Sequence, residues 1–334
     1  MIKKREALLA TGGLVLFAFA ASRIGWGPVF EAIARARNAL GIIVVLSIIR
    51  LVLQTRSWAI ALRLDGIKTK VAELMLIRLA SQGVGYLSVL GPFASEPMKI
   101  SLLKSNGSAT AATLVDTGVY WFASGIVGIA GYLSAVLLLA HQHQSFVPMG
   151  IVGLGVAGFM FLIARPKLRL SGIVDALGPR CPRWLAKAKQ IEVTLRQFES
   201  RYPSAIRSMF LLDLACQVLL VAEVITVFWC LKTPLAAGTV LAVEGASRAI
   251  KIVAGWMPAR IGADESGAAG AFFAFGLSPA SGLTLALARR SRDLLAALIG
   301  LSWLAWRARC SEASSASILK AACLKEEGST CKAY

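Results

Sequence analysis

The sequence predicts an all-α, polytopic membrane protein with about six full spans and two re-entrant or broken helical hairpins in an inverted repeat. Of the 334 residues, 57% are hydrophobic and 16% charged, and the mean hydropathy is +0.68, which is too apolar for a water-soluble domain of this length. The apolar residues stand in long uncharged runs rather than in the roughly ten-residue alternating stretches of an outer-membrane barrel, so the spans are helices. Lys and Arg number 36 against 18 Asp and Glu. In a membrane protein such an excess marks cytoplasmic loops and contact with anionic headgroups, and nucleic acid is not an expected partner.

The chain opens Met1-Ile2-Lys3-Lys4-Arg5, and the uncharged run 7–22 that follows reads as a first helix. A signal peptide cleaved near Ala20 is the alternative, but a retained helix is simpler because further spans follow. A second span covers 38–62 and carries Arg50 and Arg56 inside it. The third, 108–140, holds Asp116 as its only charge, and the connection His141-Gln142-His143-Gln144-Ser145 after it has no Lys or Arg. A fourth run, 146–164, ends at Arg165-Pro166-Lys167. Residues 165–207 contain ten Lys or Arg against three acidic residues, which makes this loop cytoplasmic, with an amphipathic surface helix at 184–200. A fifth span is expected over 208–231. The sixth, 278–306, is capped by Arg307 and Arg309 and followed by a polar cytoplasmic tail, 310–334. With both termini and the 165–207 loop inside and the histidine connection in the periplasm, segments 71–107 and 233–276 must each return to the side they entered from.

Those two segments share a pattern. The first carries Glu73, Arg78 and Gln82, then Gly83-Val84-Gly85 and Gly91-Pro92-Phe93-Ala94-Ser95-Glu96-Pro97-Met98-Lys99. The second carries Glu244, Arg248 and Lys251, then Pro258-Ala259-Arg260-Ile261-Gly262-Ala263-Asp264-Glu265. In each, a helix bearing Glu and Arg leads to a Gly/Pro break and a further Glu. Broken helices in corresponding places of two inverted halves mark a midplane binding site, because unpaired backbone is tolerated only beside protein or a water-filled cavity. Residues 83–99 and 257–267 are therefore expected to be non-helical or broken, with their tips close together.

A charge at membrane depth costs at least ~2.5 kcal/mol, so Arg50, Arg56, Glu96, Lys99, Asp116, Glu244, Arg248, Lys251, Glu265, Arg289, Arg290 and Arg292 need an account. Glu244, Arg248 and Lys251 fall at i, i+4 and i+7 on one helical stripe, and Arg289 with Asp293 makes another i, i+4 pair. Internal salt bridges that fix helix packing are one explanation. Taken together, the basic members of the set outnumber the acidic ones by eight to four, and the surplus calls for an anion. A lipid phosphate suits it, since the Arg fork binds two phosphate oxygens while apolar walls accommodate acyl chains. Three roles are open to Glu96 and Glu265: binding a cationic headgroup, changing protonation, or bonding exposed backbone N–H groups. Arg260 completes the candidate substrate-binding residues, which are Arg50, Arg56, Glu96, Lys99, Glu244, Arg248, Lys251, Arg260, Glu265, Arg289 and Arg292.

The six cysteines have no paired spacing and read as free thiols, and His141 and His143 lack neighbouring ligands, so neither a metal nor another cofactor is expected. No nucleophile elbow, phosphate loop, zinc-protease motif or aspartate-rich lipid-transferase motif occurs, which argues against an enzyme.

At its two broken segments the chain resembles the transmembrane region of the lysylphosphatidylglycerol synthase family, a flippase-like domain, over roughly residues 8–309. The family's Gly-Glu-x-x-Arg element after a Pro here reads Ser95-Glu96-Pro97-Met98-Lys99. Its Pro-Gly-Gly-x-Gly-x-x-Glu element reads Pro258-Ala259-Arg260-Ile261-Gly262-Ala263-Asp264-Glu265, followed by Arg289 at the position of the family's intramembrane Arg. Val243-Glu244-Gly245-Ala246-Ser247-Arg248 is similar to the hopanoid-associated branch. The departures are Lys99 for Arg, Ser95 for Gly and Arg260 for Gly, and they leave the headgroup open. The resemblance implies one domain over 1–309 with halves 1–140 and 146–309. It also implies a bacterial inner-membrane protein that moves a phospholipid or other polar lipid, anionic or zwitterionic, between leaflets, with Glu96, Lys99, Glu265 and Arg289 as functional positions. The synthase domain is expected to be absent, as about 25 polar residues follow the last span. A membrane-embedded enzyme acting on an isoprenoid or phospholipid headgroup, and a scaffold for a separately encoded lipid-modifying enzyme, are the rival expectations.

Overall fold

The computed structural model describes residues 26–88, 92–103, 108–141, 193, 197–198, 200–254, 260 and 262–330. Among them eight helices carry the fold: α1 Trp26–Leu64, α2 Val71–Leu87, α3 Pro92–Leu102, α4 Ser108–His141, α5 Pro203–Cys230, α6 Ala237–Val253, α7 Ala263–Ala274 and α8 Pro279–Thr330. Three stretches are long and apolar enough to cross a membrane: Ala39–Leu64 in α1, Ala109–Leu139 in α4 and Pro203–Cys230, which is α5. They match the expected runs 38–62, 108–140 and 208–231 to within a few residues. The run 278–306 lies in α8, which continues through the polar tail to Thr330. Runs 7–22 and 146–164 and His143 lie outside the described residues, as does most of the surface helix 184–200, of which residues 193, 197, 198 and 200 are helical.

Both unusual segments are broken helices. α2 has 17 residues and stops where Ser88 turns extended (φ −85°, ψ 151°), and α3 resumes with Pro92 as its first residue. Proline suits that place because the N–H it lacks has no partner in a first turn. α6 also has 17 residues. After it, Arg260 (φ 48°) and Gly262 (φ 79°) adopt left-handed backbone, and Gly262 caps α7. The breaks are shorter than 83–99 and 257–267: helix persists to Leu87 and resumes at Pro92, and it resumes again at Ala263. Glu96 and Lys99 accordingly lie on α3, and Glu265 in the first turn of α7, rather than in open loops. Gly91, Pro258, Ala259 and Ile261 lie outside the described residues.

Length and packing repeat through the chain. A long helix, a 17-residue helix, a short helix and a long helix occur twice, as α1–α4 and as α5–α8. Contacts between them come in matched pairs: α2 lies on α8 as α6 lies on α4, α1 on α8 as α5 on α4, and α3 on α2 and α4 as α7 on α6 and α8. The equivalent helices α1 and α5 pack on each other. They run antiparallel, since Ser47 meets Glu223 and Ser57 meets Asp213.

The swapped interfaces are close. At Gly131 of α4 a Cβ would lie 2.5 Å from the Leu241 carbonyl oxygen and 2.8 Å from Gly245 Cα. At Gly300 of α8 it would lie 2.3 Å from the Leu79 backbone. Two apolar clusters close the ends of the bundle. Trp58, Leu62, Leu74, Ile77, Ala112 and Met209 form one, and Ile43, Leu139, Val227, Phe228, Phe272 and Leu285 form the other. Along α1 and α5 the buried polar residues lie between these clusters, where burial demands partners.

Candidate functional site

One stretch of α8 carries Arg289, Arg290, Arg292 and Asp293 into the junction of α2, α5, α6 and α7. Arg289, 6% exposed, donates to Glu244 of α6 at 2.7 Å and to the Leu220 carbonyl of α5 at 3.3 Å, and its Nε lies 3.5 Å from Glu223. Arg292 pairs with Glu223 and with Asp293. Glu244 also takes Arg248, one turn along α6, at 3.1 Å. Arg248 reaches further, donating to the Ser124 carbonyl of α4 at 2.9 Å and to Gln217 of α5 at 2.7 Å. Glu223, Glu244 and Asp293 thus meet Arg248, Arg289 and Arg292, three carboxylates against three guanidiniums, in one neutral network. The stripe expected from i, i+4 spacing on α6 is present, whereas Arg289 turns to Glu244 and Glu223 rather than to Asp293.

Glu265 is held by two partners. Its Oε2 accepts the Gly262 N–H at 2.9 Å, which satisfies a donor at the start of α7 and favours the positive end of the helix dipole. Its Oε1 pairs with Arg290, which also donates to Tyr86 of α2 at 3.4 Å. Arg260 pairs with Asp264 at 3.1 Å.

A cavity of about 30 Å³ opens between these groups, lined by Tyr86, Lys251, Asp264, Arg289, Arg290 and Asp293 among others. It lies between α2 of the first four helices and α6, α7 and α8 of the second four. That volume holds about two waters. Lys251 makes no hydrogen bond or ion pair among the described residues, although it lies close enough to Glu244 and Asp293 to feel both. Of the cations that line the cavity, Arg289 and Arg290 are paired, with Glu244 and Glu265, and Lys251 is the one without an ion pair among the described residues.

A second charged cluster sits on α2, α3 and α4. Arg78 pairs with Asp116 at 3.1 Å, and Lys99 pairs with Glu96 at 2.7 Å, whose other oxygen accepts the Thr117 hydroxyl at 3.0 Å. Both cations stand 5.9 Å from the Trp58 ring, whose indole N–H donates to Thr113 at 3.1 Å. Glu96 and Lys99 are thus brought together with each other and kept apart from the cavity. Arg50 is half-buried and acts on Glu223 and Asp293 from α1, while Arg56 faces outward. Glu223, Tyr86, Asp213 and Gln217 were missed by sequence reasoning. An acidic residue inside the apolar run 208–231 was the available signal for Glu223 and Asp213.

Fold and site together define a multi-helix membrane protein with a charged interior. The chain belongs to the family described as the lysylphosphatidylglycerol synthase TM region, which matches residues 7–300. That membership makes it a membrane protein related to lipid handling. No curated protein and no solved structure matches it.

Proposed function

We propose that the protein is a lipid translocator of the bacterial inner membrane, moving a phospholipid or other polar lipid with an anionic group between leaflets. The observation that carries this reading is Lys251. Its ammonium lies on a cavity between two broken-helix units and has no ion pair among the described residues, beside a network of three carboxylates and three guanidiniums. A headgroup phosphate supplies the counter-charge it lacks. The cavity now has room for water only, so the headgroup enters when the helices part.

The matched packing of α1–α4 and α5–α8 supports an inverted repeat. A two-fold axis parallel to the helices would make the equivalent helices α1 and α5 parallel to each other. They are antiparallel, which fits an axis in the membrane plane, the symmetry of transporters that alternate access about a fixed site. The Lys and Arg asymmetry puts both termini and the 165–207 loop in the cytoplasm. The scaffold reading has no use for paired breaks, and for the enzyme reading the one hydroxyl of a serine on the cavity, that of Ser247, is donated to the Val243 carbonyl one turn back. A separately encoded lipid-modifying enzyme would then be the source of the lipid moved.

The test is a leaflet-accessibility assay in vesicles of phosphatidylglycerol and phosphatidylcholine, with each lipid fluorescently labelled in turn. Wild type is expected to expose the labelled phosphatidylglycerol to an external quencher. Lys251→Met, which keeps the aliphatic stem and breaks no ion pair, should lose that activity at least about tenfold, equivalent to about 1.4 kcal/mol, with an unchanged melting temperature. Lys251→Met moving lipid at the wild-type rate would refute the site, and inactive wild-type protein would refute the function.

A further inference from the structure

Two groups of opposite sign have no ion pair among the described residues and bear on the interior: Lys251, on the cavity, and Asp213 of α5. Asp213 is wholly buried, at 0% exposure. Its Oδ2 accepts the Ser57 hydroxyl of α1 at 3.2 Å, and its Oδ1 has no partner. The charged and titratable groups around it are otherwise engaged. From α4, Asp116 is held by Arg78 of α2, and its own Oδ1 is also unpartnered. From α3, Lys99 is tied to Glu96. From α6, Arg248 serves Glu244 and Gln217, and from α8, Arg289 serves Glu244 and the Leu220 carbonyl. From α1, Arg50 acts on Glu223 and Asp293. On α5 itself, the Cys216 thiol donates to the Arg50 carbonyl at 3.7 Å.

An ionised Asp213 would therefore be a buried charge with no ion pair of its own among the described residues, since the nearby Arg78 is held on Asp116, a state that taking up a proton relieves. Ser57 sharpens the point, because it interacts with Asp116 as well and has one hydrogen to give to two carboxylates.

Asp213 also lies on a path. Asp213, Gln217, Leu220 and Glu223 recur every three or four residues on one face of α5, which is inward-facing because Asp213, Gln217 and Glu223 are buried. Gln217 Nε2 lacks a hydrogen-bond partner, as Asp213 Oδ1 does, and Glu223 Oε2 has only the looser ion pair with Arg289 at 3.5 Å; such buried groups are where ordered water binds. This stripe covers about 15 Å of helix and ends at Glu223, whose partner Arg289 lines the cavity.

We propose that Asp213 is a proton-binding site, filled and emptied along the polar stripe of α5, and that its occupancy is coupled to lipid movement at Lys251. The step is reversible protonation of one carboxylate: an O–H bond forms on Asp213 as an O–H bond of a hydronium ion breaks and releases water, and the interior gains one positive charge. In the neutral form Arg78 stays on Asp116, as seen here. Loss of the proton makes Asp213 a competitor for Arg78, which gives α2 and α5 a second arrangement. The coupling clause rests on the translocator reading; the proton site does not.

The experiment is infrared difference spectroscopy of the whole protein in vesicles during a pH jump, paired with lipid translocation with and without a pH gradient. Wild type is expected to show the C=O band of a protonated carboxylic acid, shifted in D₂O. Asp213→Asn, which mimics the neutral acid in size and charge, should lose the band and keep the wild-type melting temperature, and Asp213→Glu should restore a band. In the transport arm, a gradient should accelerate wild type at least several-fold, and this ratio should fall to one in Asp213→Asn and recover in Asp213→Glu. No band in wild type, a band that survives in Asp213→Asn, or an Asp213→Asn protein that fails to fold would overturn the proton site. Equal rates with and without the gradient in wild type would overturn the coupling. A wild type that moves no lipid under any condition would remove the translocator reading, and the infrared result alone then decides for or against Asp213.

Discussion

Replacing Arg289 by Ala tests whether the ion network of α5, α6 and α8 is a neutral unit. Its members, Glu223, Glu244, Asp293, Arg248, Arg289 and Arg292, balance at three charges of each sign. Arg289→Ala leaves one net negative charge in a site where Glu223 is 1% and Glu244 2% exposed. Removing one partner of a buried pair costs about 3 to 5 kcal/mol. The lower end applies, because Glu244 keeps Arg248 at 3.1 Å and Glu223 keeps Arg292, so neither carboxylate is stripped bare. Glu244→Gln alone should cost a similar amount, by leaving one positive charge in excess. The double variant restores neutrality, with two charges of each sign, and should be less destabilised than the sum of the singles by roughly 1 to 3 kcal/mol. Denaturant unfolding in detergent micelles, followed by tryptophan fluorescence on all three variants and wild type, measures this cycle. Strictly additive losses would show that Arg289 and Glu244 do not share an environment, and single losses under about 1 kcal/mol, the range of exposed pairs, would show that water reaches the network.

Two further outcomes follow from the backbone. Gly300→Ala would push a methyl group to 2.3 Å from the Leu79 backbone, so α2 and α8 must separate and stability should fall by roughly 1 to 3 kcal/mol, whereas Gly41→Ala, with nothing within 4 Å, should be neutral or stabilising by up to about 1 kcal/mol; thermal unfolding of the two variants side by side reads the difference. Arg260→Gly removes a left-handed non-glycine residue (φ 48°), a relief of about 1 to 2 kcal/mol that is offset by the lost Asp264 pair and by glycine's extra freedom when unfolded, so its melting temperature should stay near that of wild type.

Much of the helical organisation was legible because its signals are local. An uncharged run long enough to span a bilayer is visible at 38–62, 108–140 and 208–231 without any tertiary information, and so are Gly and Pro where a helix stops. The extent of each break was not. A proline at the first position of α3 starts a helix as readily as it ends one, since the missing N–H has no partner in either case. Only the packing of α3 against α2 decides that residues 92–99 are helical.

The site was legible in its cations and illegible in their partners, for a related reason. Arg289 and Arg292 stand out as charges in an apolar neighbourhood, but the carboxylates that neutralise them are Glu223 and Glu244, on helices distant in sequence. An i, i+4 count captures Glu244 with Arg248 and mispairs Arg289 with Asp293, because a side chain at the junction of four helices takes its partner from whichever face approaches it. Charge counting by segment therefore overstates the excess. Of the eight basic residues, Lys99, Arg248, Arg289, Arg290 and Arg292 take carboxylate partners once α5 brings in Glu223 and α8 brings in Asp293, and Arg50, Arg56 and Lys251 are left without an ion pair among the described residues. Two of the groups left without an ion pair among the described residues are more informative than the surplus itself: the ammonium of Lys251 on the cavity and the carboxylate of Asp213, which lies on the face of α5 that leads to Glu223. A scaffold built only for packing has no reason to leave either unpaired, since each is costly to bury. A protein that binds an anion at one and a proton at the other has a use for both.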